Sequence, residues 1–204
     1  MGKRDFCLQV RMNISTDVDL PQWRCPTHYR LRRVEMGDKM RLSELLVSIG
    51  VGWTKFDVPR MSQYMKEPDR WDGSHVVEYQ GRLVALCIVT RRGEFDPVWG
   101  QLDYVCVHPR HRGRGLGLGV CTAGFQYQRS HGYLAATLTT LEITPGSLQL
   151  VAMKMYLGMQ FYPIITHHNQ ATCKMVYQLL GGGCLCNGGV AHRRLIRSMI
   201  LRHD

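Results

Sequence analysis

The residues of this chain with the clearest chemical potential are arginines and glycines that alternate over a short stretch. The stretch follows an apolar segment that ends at Val107, contains Arg110, Arg112 and Arg114, and leads into an apolar, helix-compatible segment at residues 120–129. Glycine lets backbone N–H groups approach a ligand closely, and a helix N-terminus adds partial positive charge. Arginine binds phosphate oxygens through paired hydrogen bonds. The pattern therefore predicts a strand, a basic turn and a helix that together bind a phosphate or pyrophosphate group.

Two widespread phosphate-binding motifs do not fit this stretch. A P-loop requires Lys followed by Ser or Thr after its last glycine, and that pair is absent here. The dinucleotide-binding pattern requires Gly or Ala where Leu118 or Val120 stands, and a tight turn where residues 108–112 intervene. Glu142 does stand where that motif would place its ribose-binding acid. An ordinary surface turn is the remaining alternative.

The charge of the chain favours anionic partners. The formal net charge of the 204 residues is +10, and arginine supplies most of the cations. Residues 143–203 contain no Asp or Glu. Because a site for polycationic amines needs carboxylates to pair with the substrate cations, we expect an acceptor that is not polycationic.

The cysteines and the apolar segments predict a chain without a disulfide framework, metal site or membrane span. Cys87, Cys106 and Cys121 lie in apolar segments and are typical of buried thiols in a reducing compartment. The Cys-Leu-Cys sequence at residues 184–186 lacks the spacing of zinc knuckles, so we expect no metal. No signal peptide is evident, and the longest apolar run, residues 83–89, is too short to span a bilayer. A cytoplasmic location is expected.

The pattern of apolar residues and turn signals predicts an α/β fold of the α+β type. Gln80 and Gly81 separate two apolar segments in the manner of a β-hairpin. A strand reached through a helix after the arginine turn should lie parallel to the strand before it, whereas the short connections elsewhere favour antiparallel neighbours. We therefore expect a mixed, mainly antiparallel sheet with one parallel pair, flanked by helices. The predicted strands are residues 29–34, 75–79, 82–91, 98–107, 133–141, 161–166 and 173–180, and the predicted helices are 39–49 with Asp38 as cap, 58–66, 146–157 and one from the arginine turn to about Ser130.

The domain prediction follows from these elements. The globular domain is expected at residues 28–180, after an N-terminal extension at residues 1–27 that holds at most one short strand. A glycine-rich hinge and a basic tail are expected at residues 181–204.

Two motifs in this order resemble the GNAT superfamily of N-acyltransferases. The acyl-CoA pyrophosphate loop of that family has the pattern Gln or Arg, two residues, Gly, any residue, Gly or Ala, and residues 112–117 match it after the preceding Val107-His108-Pro109. The late helix of the family has the pattern Asn-x-x-Ala-x-x-Leu-Tyr followed by Gly-Phe. Ala152, Tyr156 and Phe161 match this second pattern in register, while Gln149, Met155 and Gln160 depart from it. The resemblance covers about residues 29–180.

The resemblance implies an enzyme that transfers an acetyl or other acyl group from acyl-CoA to a primary amine by direct attack. It places Tyr156 as the proton donor to the departing thiolate and Asp103 as the base, although Gln101 is the closer register match for the family's Glu. His108, His111, His167 and His168 are weaker candidates for the base. Trp53 and Phe56 are expected to line the acceptor site. The implied acyl-CoA contacts are Tyr104, Val105, Cys106, Val107, Arg112, Gly113, Arg114, Gly115, Leu116 and Gly117.

Two other functions remain open from the sequence. The same fold serves aminoacyl-tRNA-dependent transferases, for which the basic surface would bind RNA; RNA affinity that does not weaken as salt rises would contradict that alternative. A non-catalytic acyl-CoA sensor or nucleic-acid-binding module would lose nothing on Tyr156→Phe substitution. A homodimer is a further option that the sequence does not decide.

Overall fold

The computed structural model describes residues 9–49, 58–67, 69–91, 99–141 and 148–163. These residues divide into two compact units, one that contains residues 9–15, 139–141 and 148–163 and one that lies within residues 16–138. The strands are β1 Gln9–Ser15, β2 Tyr29–Arg33, β3 His75–Tyr79, β4 Arg82–Arg91, β5 Trp99–Val107, β6 Ala135–Leu141 and β7 Tyr162–Pro163. The helices are α1 Lys39–Ser48, α2 Val58–Tyr64, α3 Arg70–Gly73, α4 Leu116–Ser130 and α5 Leu148–Gly158.

The larger unit is built on a sheet in the order β2-β3-β4-β5-β6. The pairs from β2 to β5 are antiparallel, and β5 pairs with β6 in parallel through residues 135–138 of the latter. Helix α4 connects the two parallel strands, as the spacing around the arginine turn predicts. The prediction of a mixed, mainly antiparallel sheet with one parallel pair and flanking helices is confirmed.

The hairpin between β3 and β4 lies where the sequence places it. Gln80 and Gly81 both have positive φ, 47° and 77°, which is the geometry of a two-residue hairpin turn. Strand β4 is buried at each of its interior positions, which explains its unbroken run of apolar residues.

Helices pack against this sheet through their apolar stripes. One cluster joins α1 and α2 to β3 and β4, with Leu42, Leu46 and Met61 fully buried. Helix α4 lies so close to β4 and β5 that a Cβ on Gly124 would meet Val89 at 3.1 Å. The short helix α3 is absent from the sequence prediction because four residues carry no periodicity to detect.

Asp38 occupies the N-cap position of α1, but its carboxylate does not cap that helix. It accepts hydrogen bonds instead from Arg32 (2.6 and 2.9 Å), Arg41 (3.0 Å) and the backbone N–H of Glu35 (2.9 Å). The capping role predicted for Asp38 is therefore wrong, because two guanidinium groups attract its charge more strongly than helix amides do.

The smaller unit holds the pair β1 and β7 and the helix α5. Met12 pairs with Pro163 and Asn13 with Tyr162, in antiparallel orientation. Met153, Met159 and Phe161 are buried. The strand predicted at residues 173–180 and the tail at residues 181–204 lie outside the described residues. Within the described residues, no helix combines the length and the apolar character that crossing a bilayer requires.

Candidate active site

The arginine–glycine stretch forms the connection between β5 and α4. A single 3₁₀ turn at Pro109–His111 follows the strand, and α4 begins at Leu116. Gly113 and Gly115 have φ of 76° and 72°, the left-handed region that side chains other than glycine disfavour. These two glycines let the chain reverse direction and enter the helix within a few residues.

Two of the loop arginines stabilise the loop by hydrogen bonds in addition to giving it positive charge. Arg112 donates from Nε to the carbonyl of Val107 at 3.2 Å, and Arg114 donates from one terminal nitrogen to the carbonyls of Arg110 and Arg112 at 3.0 and 3.2 Å. Because a guanidinium carries five N–H donors, each side chain keeps donors for an anion. Arg110 and Arg114 are exposed and Arg112 is half-buried.

The first turn of α4 presents backbone donors at the end of this loop. The earliest bond between successive turns runs from the Gly119 N–H to the carbonyl of Gly115, at 3.1 Å. The N–H groups of Leu116, Gly117 and Leu118 therefore have no acceptor one turn earlier in the helix. The amides, the helix dipole and the arginines form a donor set that suits a diphosphate.

Strand β5 carries a bulge just before the loop. Leu86 pairs with Cys106 and Ile88 pairs with Asp103, so two residues of β5, Tyr104 and Val105, stand opposite one residue of β4. Tyr104 has a φ of 47°, which is unusual for a residue with a side chain. The parallel register with β6 ends at Leu102, before the bulge. Residues 104–107 thus leave the regular ladder between the sheet and the basic loop.

Asp103 lies on the bulge within a set of hydrogen-bonding side chains. Gln101 Nε2 donates to Asp103 Oδ1 at 2.8 Å, and the Tyr64 hydroxyl donates to Asp103 Oδ2 at 3.3 Å. The Tyr64 ring meets the Tyr104 ring edge-on, with 5.2 Å between centroids, and the Arg70 guanidinium lies 3.7 Å from the Tyr64 centroid. Burial, followed by the negative charge of Asp103, raises the pKa of Tyr64, so its hydroxyl remains protonated and donates.

Tyr64 is a residue of this cluster that the sequence analysis missed. It lies on α2, 39 residues before Asp103. Its spacing within the helix is compatible with ordinary core packing, so nothing local to α2 signals the contact. Only the pairing of the distant elements brings the phenol and the carboxylate together.

Tyr156 belongs to the smaller unit. It is 6% exposed, on α5, and its ring meets that of Phe161 at a steep angle with 6.1 Å between centroids. The N–H of Phe161 donates to the carbonyl of Tyr156 at 3.0 Å, which closes the end of the helix. The predicted acceptor residues Trp53 and Phe56, and the candidate bases His167 and His168, lie outside the described residues.

Two candidate histidines lie in the loop itself. The Tyr29 hydroxyl and His111 Nδ1 are 2.9 Å apart, and burial, then electrostatic interaction with His108 and the nearby arginines, lowers the pKa of His111. His108 Nδ1 accepts the backbone N–H of Arg110 at 3.3 Å. Both rings are thus part of the loop architecture.

The buried thiols of Cys87 and Cys106 are not activated. Burial raises the pKa of Cys106, and a hydrogen bond with Cys121, together with burial, raises that of Cys87. A protonated thiol is a poor nucleophile. Among the residues that the structure describes, no group of three or more His, Cys, Asp or Glu side chains could hold a metal ion.

The fold is shared with several solved acetyltransferase structures. The GCN5-related N-acetyltransferase from Sphaerobacter thermophilus is 18% identical, with a TM-score of 0.64 over 76% of this chain and 48% of that one. A GNAT-family acetyltransferase from Novosphingobium aromaticivorans is 17% identical, with a TM-score of 0.55 over 76% of this chain and 59% of that one. Diaminobutyrate acetyltransferase from Paenibacillus lautus, in complex with diaminobutyric acid and coenzyme A, is 20% identical, with a TM-score of 0.52 over 65% of this chain and 75% of that one.

This chain thus spans about half the length of the first two of those proteins. No curated protein sequence matches it significantly. The sequence profile of the acetyltransferase (GNAT) family matches residues 40–158, which is more than half of the chain and includes the bulged strand, the arginine–glycine loop and Tyr156. The chain therefore belongs to the acetyltransferase (GNAT) family.

Proposed function

We propose that this chain is an N-acyltransferase that transfers an acetyl or related acyl group from acyl-CoA to a primary amine. The observation that carries the proposal is the continuous arrangement of a bulged strand, a basic glycine loop and an open helix N-terminus, in a chain of the acetyltransferase (GNAT) family. This arrangement offers a donor set for a diphosphate immediately beside displaced backbone N–H groups of a strand.

The loop binds the phosphates and the bulge faces the thioester. Arg112 and Arg114, with the N–H groups of residues 113–117, hold the diphosphate by charge and by hydrogen bonds. The backbone donors of residues 104–107 stabilise the negative charge that develops on the thioester oxygen. The family uses acetyl-CoA, and the donor set of this loop fits its phosphates.

Proton transfer is assigned to two side chains. Asp103 accepts a proton from the acceptor ammonium, directly or through water, so that the neutral amine can attack the carbonyl carbon. As the carbon–sulfur bond breaks, Tyr156 donates its phenolic proton to the departing thiolate, and the phenolate regains a proton from the nitrogen that becomes the amide, directly or through water. The Tyr64 and Gln101 hydrogen bonds orient the Asp103 carboxylate for this role.

Transfer proceeds in one step without an acyl-enzyme. Cys106 is the thiol nearest to the loop in sequence, and it is buried with a raised pKa. Since only a thiolate attacks a thioester efficiently, a covalent intermediate on this residue is disfavoured. Direct attack by the amine needs only the base, the proton donor and the backbone N–H groups.

The acceptor is proposed to be a small amine with few positive charges. Trp53 and Phe56 would supply apolar contacts to it. The absence of Asp and Glu from residues 143–203 leaves few carboxylates to pair with a polycation.

The test is binding followed by turnover. Calorimetry should detect saturable binding of coenzyme A by the full chain, and release of free thiol from acetyl-CoA should depend on an amine drawn from a panel of small primary amines. The double substitution of Arg112 and Arg114 by Ala should weaken coenzyme A binding by about tenfold or more, because charge-assisted hydrogen bonds are lost. A wild-type chain that binds no coenzyme A species would refute the proposal.

A further inference from the structure

A tryptophan from the segment before β2 lies against the first turn of α4. The Trp23 indole covers the surface that Gly115 and Gly119 leave open, one helical turn apart. A Cβ on Gly119 would lie 2.5 Å from Trp23 Cε2, so glycine at this position makes room for the ring. Gly119 is outside the pyrophosphate-loop pattern, and its contact with Trp23 gives this additional glycine a structural reason.

The indole has a defined direction along the helix. Its six-membered ring lies over Gly119, whereas Nε1 and Cδ1 lie 3.3 and 3.7 Å from the position of a Cβ on Gly115. The N–H edge is therefore at the end of the helix that meets the arginine–glycine loop. In the described part of the chain this N–H has no hydrogen-bond acceptor, and the side chain is half-buried.

A purely structural role makes no use of the N–H edge of the ring. A ring that only anchors the segment to α4 needs apolar surface, which Phe or Leu would provide equally well. The Trp23 Nε1–H is not sealed from solvent, and it lies beside Gly115, an exposed glycine of the loop at the start of α4. An indole donor with no protein acceptor among the described residues therefore lies next to the proposed phosphate site.

We propose that Trp23 is a further phosphate-binding residue of the acyl-CoA site. Its Nε1–H donates to a phosphate oxygen of the bound acyl-CoA, and its ring forms one wall of the loop. This inference rests on the proposed function, because it assumes that the loop binds the phosphates of coenzyme A.

The experiment compares Trp23→Phe with the wild type in the full-length chain, using coenzyme A as the probe. Loss of one hydrogen bond to a charged oxygen at a half-exposed position should raise the Kd by about tenfold. Turnover of a truncated acetyl thioester of N-acetylcysteamine, which lacks the nucleotide and its phosphates, should be unchanged. The change in tryptophan fluorescence on addition of 3′,5′-adenosine diphosphate should be present in the wild type and lost in the variant.

Two further variants separate this role from a general loss of folding. Trp71→Phe alters a tryptophan that packs beside the α1 core near Lys39, and it should leave the Kd unchanged. Gly119→Ala displaces the indole without touching the loop, so it should weaken coenzyme A binding to a similar extent. The double variant Trp23→Phe with Gly119→Ala should then bind coenzyme A no more weakly than either single variant, because both substitutions remove the same contact.

The outcomes distinguish this inference from the proposed function. Coenzyme A binding by Trp23→Phe that equals the wild type would overturn the role of Trp23 alone. Tighter binding would also overturn it, by showing that the indole occludes the loop. A wild-type chain that binds no coenzyme A would refute the proposed function and this inference together.

Discussion

At the scale of single residues, the proposed chemistry depends on two proton transfers and on the side chains that accept or donate those protons. Tyr156 and Asp103 lie in different compact units, and each is surrounded by a distinct set of neighbours. Tyr156 packs against Phe161, whereas Asp103 accepts hydrogen bonds from Tyr64 and Gln101. Their substitutions therefore test separate steps.

Tyr156→Phe should lower kcat while leaving the affinity for coenzyme A unchanged. The phenyl ring keeps the packing against Phe161, and only the hydroxyl that donates to the thiolate is removed. General acid catalysis contributes typically about 10²–10⁴-fold, so we expect a loss of about 10²-fold in kcat. Steady-state kinetics and calorimetry on the same preparation measure the two quantities. An unchanged kcat would remove Tyr156 from the mechanism.

Asp103→Asn should lower kcat/KM by about 10²-fold, because an amide cannot accept the proton of the acceptor ammonium. Asn retains the shape of the side chain and an oxygen that accepts a hydrogen bond from Tyr64. Tyr64→Phe is the companion variant, since it leaves the carboxylate and removes one of its two orienting donors. The loss of kcat/KM in Tyr64→Phe should be smaller than that in Asp103→Asn. A larger loss in Tyr64→Phe would assign the leading role to Tyr64.

At the scale of helices and strands, two carboxylates connect elements that are distant in sequence. Asp69, at the N-terminus of α3, accepts hydrogen bonds from the hydroxyls of Tyr133 (2.7 Å) and Tyr127 (2.9 Å) and from Arg91 (3.1 Å). Asp38 accepts from guanidinium groups of β2 and α1, as described above. Each group fixes the position of a helix against the sheet that carries the bulge and the loop.

Asp69→Asn should reduce the free energy of unfolding at pH 7 by about 2 kcal/mol, because Asn offers one neutral acceptor oxygen in place of the two charged oxygens that the three donors now use. Asn suits the positive φ of 66° at this position, so the backbone is not strained. Burial raises the pKa of Asp69, but the hydrogen bonds from Tyr133 and Tyr127 and the charge of Arg91 outweigh it and hold that pKa below the ordinary value of an aspartate.

The pH dependence of this difference follows from the sign of the shift. A depressed carboxyl pKa stabilises the fold above the unfolded-state pKa, and the stabilisation is lost as the pH falls through the folded-state pKa. The difference in free energy of unfolding between wild type and Asp69→Asn should be largest at neutral pH and should disappear below about pH 4. Urea titrations at a series of pH values measure it, and a gap that is independent of pH would contradict the assignment.

Asp38→Ala should be more damaging, at about 3 kcal/mol, because it leaves the buried Arg32 guanidinium with Glu78 as its one close carboxylate among the described residues. The side chains of Arg32 and Asp38 are only 9% and 2% exposed, and their closest contact is 2.6 Å. Chemical denaturation measures the loss. Asp19→Ala is a suitable control, since that carboxylate is 99% exposed and 3.8 Å from Arg129, and it should change little.

At the scale of the whole molecule, the excess positive charge should make acyl-CoA binding sensitive to salt. The net charge is +10, and the loop arginines are exposed or half-buried. Raising the sodium chloride concentration from about 50 to about 500 mM shortens the screening length to a few ångströms. The Kd for coenzyme A should rise, while turnover of the truncated thioester should not respond. A salt-independent Kd would mean that the phosphates do not contact the arginines.

Most of the sheet and the loop could be predicted from the sequence because their signals are local. Three features depend only on residues that are adjacent in the chain. They are the hairpin at Gln80 and Gly81, the uninterrupted apolar run of β4 and the glycines before α4. The bulge at Tyr104 could not be predicted, since an extra residue in a strand is defined only against its partner strand. The contact between Tyr64 and Asp103 and the docking of Trp23 have the same origin, because each depends on elements that only the tertiary fold brings together.

The extra residue in β5 also prevents slippage between neighbouring strands. If β5 shifted along β4 by two residues, the side chains would keep their faces, but the pairing on one side of the bulge would no longer agree with the pairing on the other. Only one alignment satisfies both halves of the strand. The bulge that we propose faces the thioester therefore also sets the register of β5 against β4. Removing the extra residue would allow the two strands to pair in a wrong register.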